Sequence, residues 1–165
     1  MSLNLENKMI IWLDADGCPN EVKECVFKAA IRTQTKVMLV ADRWFRIPPH
    51  SLFELIVVTQ GFNAADEYII ERASICDIAI TDDIPLAHSL VLKDVTTISR
   101  RGQVFDKGNI GDRLATRDLM EGLRTSGLVT GGPKPYGNNE KRKFAETFDR
   151  LLVKLKNNPP SQSKK

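Results

Sequence analysis

Five aspartates in this chain stand where a carboxylate can do chemistry: Asp14, Asp16, Asp66, Asp82 and Asp83. Asp14 and Asp16 close the apolar run Ile10-Ile11-Trp12-Leu13, just ahead of Gly17-Cys18-Pro19. If extended backbone continues past Leu13, a spacing of two points both carboxylates to the same side. Carboxylates held side by side repel unless a cation or a proton lies between them. Asp16 has a competing reading as a turn or capping residue at a strand–helix junction. Asp14 is less easily explained that way, because it sits where a buried strand emerges.

Asp66 carries Ile69, Ile70 and Ala73 at i+3, i+4 and i+7, which places it on an apolar helix face, with Glu67 and Glu71 facing outward. An inward carboxylate is costly unless something satisfies it. A metal ion would do so; a capping-box interaction with Asn63 is the alternative. Asp82 and Asp83 follow Ile78-Ala79-Ile80-Thr81 as Asp14 follows the first run. Asp14, Asp66, Asp82 and Asp83 therefore form a candidate ligand set for a hard cation. Mg²⁺ suits it, since Mg²⁺ prefers a few carboxylates plus retained waters to a full protein cage. His50 and His88 are far apart and no cysteine cluster accompanies them, which disfavours zinc. His88 reads as a surface residue of its helix. Cys18 falls at a helix N-terminus, where thiol pKa values drop; without a base partner it reads as a packing residue. The same helix end has free N–H groups suited to a phosphate.

Basic residues come later. Arg100-Arg101-Gly102 follows the last strand, Arg113, Arg117 and Arg124 recur on one long helix, and Lys134, Lys141, Arg142 and Lys143 surround Gly131-Gly132-Pro133. Singly, each is an ordinary solvated charge. Beside an acidic site they suit the positioning of a phosphodiester backbone, with Arg100, Arg101, Arg117, Lys134, Arg142 and Lys143 as the candidate nucleic-acid contacts.

The elements that must position these groups alternate. Met9–Leu13, Lys36–Ala41, Leu55–Val58, Asp77–Thr81 and Val95–Ile98 read as short strands rich in apolar residues. Helices are expected over about 19–33, from Asn63 to about Ser74, from Pro85 to about Leu92, and over roughly 110–125 and 139–156. Arg43–Pro49 and Gly127–Gly137 read as loops. Strands alternating with helices predict an α/β, three-layer Rossmann-like fold: a central, mostly parallel sheet of about five strands with helices on both faces. Residues 1–156 form one expected domain and 157–165 a disordered polar tail.

The 165 residues carry 24 Lys/Arg against 21 Asp/Glu, with 42% apolar residues, a globular composition. Residues 131–165 hold nine basic and three acidic residues, leaving 15 basic and 18 acidic elsewhere. An acidic body with a basic arm can bind a polyanion through the arm. No apolar run approaches the ~20 residues that cross a bilayer, and three cysteines without a CxxC pair suggest no disulfide framework. A cytoplasmic location without membrane partners is expected.

Several stretches together resemble one family. Asp14-Ala15-Asp16-Gly17-Cys18-Pro19, Ala65-Asp66, Thr81-Asp82-Asp83-Ile84-Pro85-Leu86-Ala87, Arg101-Gly102, Asn109-Ile110 and Gly131-Gly132-Pro133 occur in the order of the YaiI/YqxD family of bacterial proteins, grouped with PIN-like domains. The resemblance spans about residues 9–150. It implies a Rossmann-like sheet and, by analogy, a Mg²⁺- or Mn²⁺-dependent nuclease site. PIN-type domains place acids after the first strand, on a helix and in a Thr-x-Asp turn; here those positions match Asp14, Asp66 and Asp83, with Thr81 opening the turn. Asp16 and Asp82 are the candidates for a fourth acid, so the resemblance implies Asp14, Asp16, Asp66 and Asp83 as the catalytic set, with Mg²⁺ or Mn²⁺ as cofactor. Asp66 stands where Glu is common, and Cys76 where glycine is expected.

The leading expectation is thus metal-dependent phosphodiester hydrolysis, with RNA as the first substrate. One alternative is a haloacid-dehalogenase-like phosphatase, with Asp14 as nucleophile and Asp16 as general acid. Cys18 where Thr or Val is usual, and the lack of a cap insertion, count against it. The other is a nucleic-acid-binding domain without turnover.

Overall fold

A computed structural model of the chain describes residues 8–59, 61, 63–131 and 135–160. The leading apolar run forms β1, Ile10–Asp14. Pro19 is expected as the first helical residue, but it is extended (φ −60°, ψ 147°) and caps α1, Asn20–Thr33, from one position outside. β2 spans Lys36–Ala41 and β3 spans Phe53–Val57. The third strand thus starts two residues earlier than its apolar run suggests, and Phe53 lies against Phe27 with ring centroids 4.4 Å apart. α2 (Ala64–Arg72), β4 (Ile78–Ile80), α3 (Ile84–Leu92) and β5 (Thr96–Ile98) follow in alternation. After a short strand β6, Val104–Phe105, come α4 (Ile110–Thr125) and α5 (Asn138–Asn157). The tail expected from residue 157 lies mostly outside the described residues, and no helix within them is long and apolar enough to cross a membrane.

The sheet order is β3-β2-β1-β4-β5-β6, parallel from β3 to β5, with β6 antiparallel to β5. This is the three-layer Rossmann-like arrangement, with six strands rather than about five. Two residues are too few to show an alternating pattern. β6 is instead fixed by its turn, where the Ser99 N–H donates to the Gln103 carbonyl (2.8 Å) and the Ser99 hydroxyl accepts from the Gln103 N–H (3.0 Å).

Both faces of β1 are covered, which explains its continuous apolar run. Ile11, Leu13 and Ala15 pack with Val22 and Val26 of α1 and Phe144 and Phe148 of α5. Trp12 faces the other way, among Ile69 of α2 and Leu86 and Leu90 of α3. Alternation then brings Asp14 out on the Trp12 side, the side of the sheet that α2 covers. A smaller cluster of Ala87, Val91, Phe105 and Ile110 attaches α4.

At the opposite, amino-terminal end of β1 and β4, Asp77 is 2% exposed and accepts three N–H bonds of 2.9 Å, from Ile10, the Trp12 indole and Ser74. Replacing it strands those donors, each worth roughly 1–3 kcal/mol when buried without a partner. Asp77→Ala is expected to lose about 3 kcal/mol or more in urea denaturation, whereas a surface control, Asp118→Ala, changes stability by less than about 0.5 kcal/mol.

Candidate functional site

From β1 the chain runs outward to β2 and β3, then crosses back to β4 on the other side of β1 and runs outward again. In open α/β sheets such a reversal leaves a crevice at the strands' carboxyl ends, where ligands bind. A cavity of about 510 Å³ opens there, walled by Asp14, Asp16, Asp42, Asp66, Asp82, Asp83 and Arg100, with residues of the β3–α2 connection completing it. All five aspartates singled out by spacing line this one space. Asp42 is an addition to those five: it directly follows β2, so the apolar run 36–41 marks it by the same strand-end signal that marks Asp14.

β1 and β4 pair with Leu13 opposite Ile80, so Asp14 and Thr81 fall side by side at the next rung. The Thr81 hydroxyl donates to Asp14 Oδ2 at 2.7 Å and accepts the Asp83 N–H at 2.9 Å. Asp83 in turn caps α3, its Oδ1 accepting the Leu86 N–H at 3.0 Å. One threonine thus ties the two strand ends together. Asp16 does not stay parallel to Asp14. Gly17 turns the chain at φ +70°, and both Asp16 oxygens accept the Asp42 N–H at 3.1 Å. Asp16 therefore closes the end of β2 while still bordering the cavity. Asn63 holds the N-cap position of α2 in left-handed backbone (φ 62°) without a side-chain bond. No hydrogen bond among the described residues links it to Asp66, so the capping-box alternative finds no support.

Burial pushes the Asp66 carboxyl up to about 6, and the neighbouring charges of Asp83, Asp14 and Asp16 push in the same direction. Asp14 is raised as well, by burial first and by Asp83 and Asp16 further, while the Thr81 hydroxyl and Arg100 oppose the shift. The cavity thus concentrates more negative charge than it neutralises, the condition under which a cation binds. Its wall offers carboxylate oxygens with the polar side chains of Thr59 and Asn63 and, among the described residues, no thiol or imidazole, a donor set that suits a hard cation such as Mg²⁺ or Mn²⁺. Among the described residues no three His, Cys, Asp or Glu side chains already converge as a closed cage; the carboxylates are spread around the cavity wall. Cys18 is buried at the foot of α1, and that burial raises its thiol to about 11, overriding the lowering expected at a helix end and leaving a packing residue.

The basic candidates divide. Arg100 reaches inward: its guanidinium donates to the carbonyls of Asp14 (3.0 Å), Asp16 (2.7 Å) and Gly17 (3.1 Å). Its bonds hold the β1–α1 loop, so it is a positioning residue in this structure. Arg101 lies 3.6 Å from Glu140 and 5.8 Å from the Tyr136 ring centroid. Arg142 donates to Asn139 (3.1 Å) and Lys143 is exposed, both on the first turns of α5. Arg117 is on α4, bonded to its neighbour Asp118 at 3.1 Å and absent from the cavity wall. Arg113, on the same helix, donates to Gln103 at 2.7 Å. Lys134 lies outside the described residues.

The family described as "Uncharacterized BCR, YaiI/YqxD family" matches residues 12–154. A UPF0178 protein of Pseudoalteromonas atlantica is 46% identical over 145 residues, covering 88% of this chain and 99% of that relative. UPF0178 proteins of Psychromonas ingrahamii (45% identical; 90% and 98% covered) and Pseudomonas aeruginosa (44%; 89% and 92%) are similar over the same extent. No solved structure matches the chain significantly.

The raised Asp66 carboxyl fixes a pH dependence. Below its unfolded pKa near 3.8 both states hold the proton; between 3.8 and about 6 the folded state holds more, so stability falls as pH rises through that window. In chelator-treated protein, Asp66→Asn is expected to be more stable than the parent at pH 7.5. The gain is about 1 kcal/mol once screening of this half-exposed group is allowed for, and it disappears by pH 4. Thermal melts at the two pH values measure it.

Proposed function

The chain belongs to the YaiI/YqxD family, and from its acidic crevice we propose that it is a metal-dependent nuclease acting on phosphodiester bonds, with RNA as the first substrate to test. The observation that carries this reading is the shared cavity in which Asp14 and Asp66 are both raised by burial and by neighbouring carboxylates. Asp14, Asp66 and Asp83, with Asp82 beside them, would hold Mg²⁺ or Mn²⁺. Such an ion supplies an activated water and stabilises charge on the leaving oxygen.

The chain's own groups do the positioning. Thr81 fixes one oxygen of Asp14 and leaves Oδ1 without a partner among the described residues. The N-terminus of α3 fixes Asp83 Oδ1 in the same manner. Each carboxylate therefore presents one restrained and one available oxygen, which limits the entropy lost when a ligand is gripped. Arg101 and the first turns of α5, beyond Arg100, are the groups suited to the substrate backbone. The phosphatase alternative asks Asp16 to move a proton as a free general acid, yet both its oxygens accept the Asp42 N–H. That engagement favours the nuclease.

Asp14→Asn and Asp83→Asn keep side-chain size and, at 83, an acceptor for the cap. Each is expected to lower Mn²⁺-dependent cleavage of mixed RNA and DNA oligonucleotides by about 100-fold or more while leaving the fold intact by circular dichroism. Undiminished cleavage in both variants would overturn the proposal.

A further inference from the structure

Directly after Asp42 comes Arg43-Trp44-Phe45-Arg46-Ile47-Pro48-Pro49, the connection from β2 toward β3. Single exposed apolar side chains are ordinary on protein surfaces, but Trp44 differs in place and company. It is 72% exposed, the one aromatic among the large exposed apolar side chains of the described residues. Asp42 lines the acidic cavity, and two residues of chain reach at most about 7 Å, so the Trp44 backbone lies within that distance of a wall residue while the indole itself stays outside the lining.

The segment alternates. Phe45 and Ile47 turn inward against the core, and the Lys23 ammonium lies 4.2 Å from the Phe45 ring centroid. Trp44 and Arg46 therefore point outward; the backbone is held ahead of the indole by the Asp42 N–H bond to Asp16 and after it by Phe45, with Pro48-Pro49 stiffening the segment beyond. Arg43 bonds Asp42 at 3.2 Å, whereas Arg46 has no ion-pair partner among the described residues. A held backbone beneath the ring limits the entropy lost on engagement, and cations beside it favour a polyanion that the acidic cavity alone would repel. Unpaired bases stack on such rings, while bases within a duplex are already stacked on one another.

We propose that Trp44, flanked by Arg43 and Arg46, is a stacking platform for a base of single-stranded nucleic acid beside the acidic cavity. Only the statement that the gripped strand is also the strand cut rests on the nuclease reading; the binding itself does not.

The two tryptophans separate the signals, because Trp12 is 2% exposed and bonded to Asp77, while Trp44 faces solvent. In chelator-containing buffer, an unstructured single-stranded oligonucleotide of mixed sequence is expected to quench the long-wavelength emission of Trp44. Trp44→Ala should bind that oligonucleotide about tenfold or more weakly, Trp44→Phe should recover part of the loss, and affinity for the corresponding duplex should be equal in all three. Trp12 emission reports that the variants are folded. Unchanged Trp44 emission at saturation, or equal single-strand affinity in Trp44→Ala, overturns the platform. So does a loss of self-association in Trp44→Ala without a loss of oligonucleotide binding, which would make the indole a protein contact. The two readings separate cleanly. Cleavage that survives Trp44→Ala undiminished, with no quenching, removes the platform and leaves hydrolysis standing. Quenching and weakened Trp44→Ala binding in a protein that cleaves nothing keep the platform and remove hydrolysis.

Discussion

Arg100 is the residue on which the geometry of the crevice depends. Where β1 ends, its last carbonyls leave the sheet ladder and must find donors elsewhere. One guanidinium supplies them for Asp14, Asp16 and Gly17, while the Arg100 N–H donates to Asp82 at 2.7 Å and its carbonyl accepts the Tyr136 hydroxyl at 2.9 Å. The β1–α1 loop, the turn after β4, the end of β5 and the approach to α5 are thereby joined at one residue, the first through its guanidinium and the others through its backbone. Arginine suits this because its donors form a rigid planar fork. The same positive charge lies within the ring of carboxylates and opposes the rise of the Asp14 pKa, so it restrains both backbone and charge.

The two ends of the β1/β4 pair show how a carboxylate is assigned to structure or to chemistry. Asp77 at the amino end is buried and accepts three N–H bonds, which satisfies its charge fully and locks the strand starts together. Asp14 at the carboxyl end receives one hydroxyl bond and shares its cavity with other acids. Asp66 has no such donor among the described residues, and its carboxyl is driven upward by burial and by the surrounding charge. The residue type is the same in all three; the supply of donors differs. Carboxylates left short of donors store unfavourable energy that a cation or a proton can release. The rigidity needed to hold them comes from the two cores, which grip β1 from both faces.

Positive charge is likewise distributed by contact and not by count. Net charge near the C-terminus suggests a basic arm, yet the first turns of α5 are fixed by specific packing against the turn after β5. Gly102 (φ +84°) brings the turn after β5 so close to α5 that a Cβ there would lie 2.7 Å from the Lys143 carbonyl. Arg101 and Glu140 meet across the same junction. Such an arrangement places Arg142 and Lys143 near the carboxyl edge of the sheet, while Arg117 on α4 belongs to a separate layer packed on α3.

Local sequence determined most of the scaffold. The apolar runs, the prolines at 19 and 85 and the periodicity around Asp66 specified an alternating α/β chain, and the strand-terminal positions of Asp14 and Asp82-Asp83 marked which acids could meet. These features are legible because burial on both faces of a strand or on one face of a helix dictates residue type over a few positions. Tertiary structure decided the rest. The register that sets Thr81 beside Asp14, the diversion of Asp16 to the Asp42 amide and the inward turn of Arg100 all join residues between 26 and 86 positions apart. The two-residue β6 and the exposed Trp44 left no periodic trace either. Periodicity reports what a segment buries, whereas these contacts depend on which strands become neighbours, and only the order of the assembled sheet fixes that.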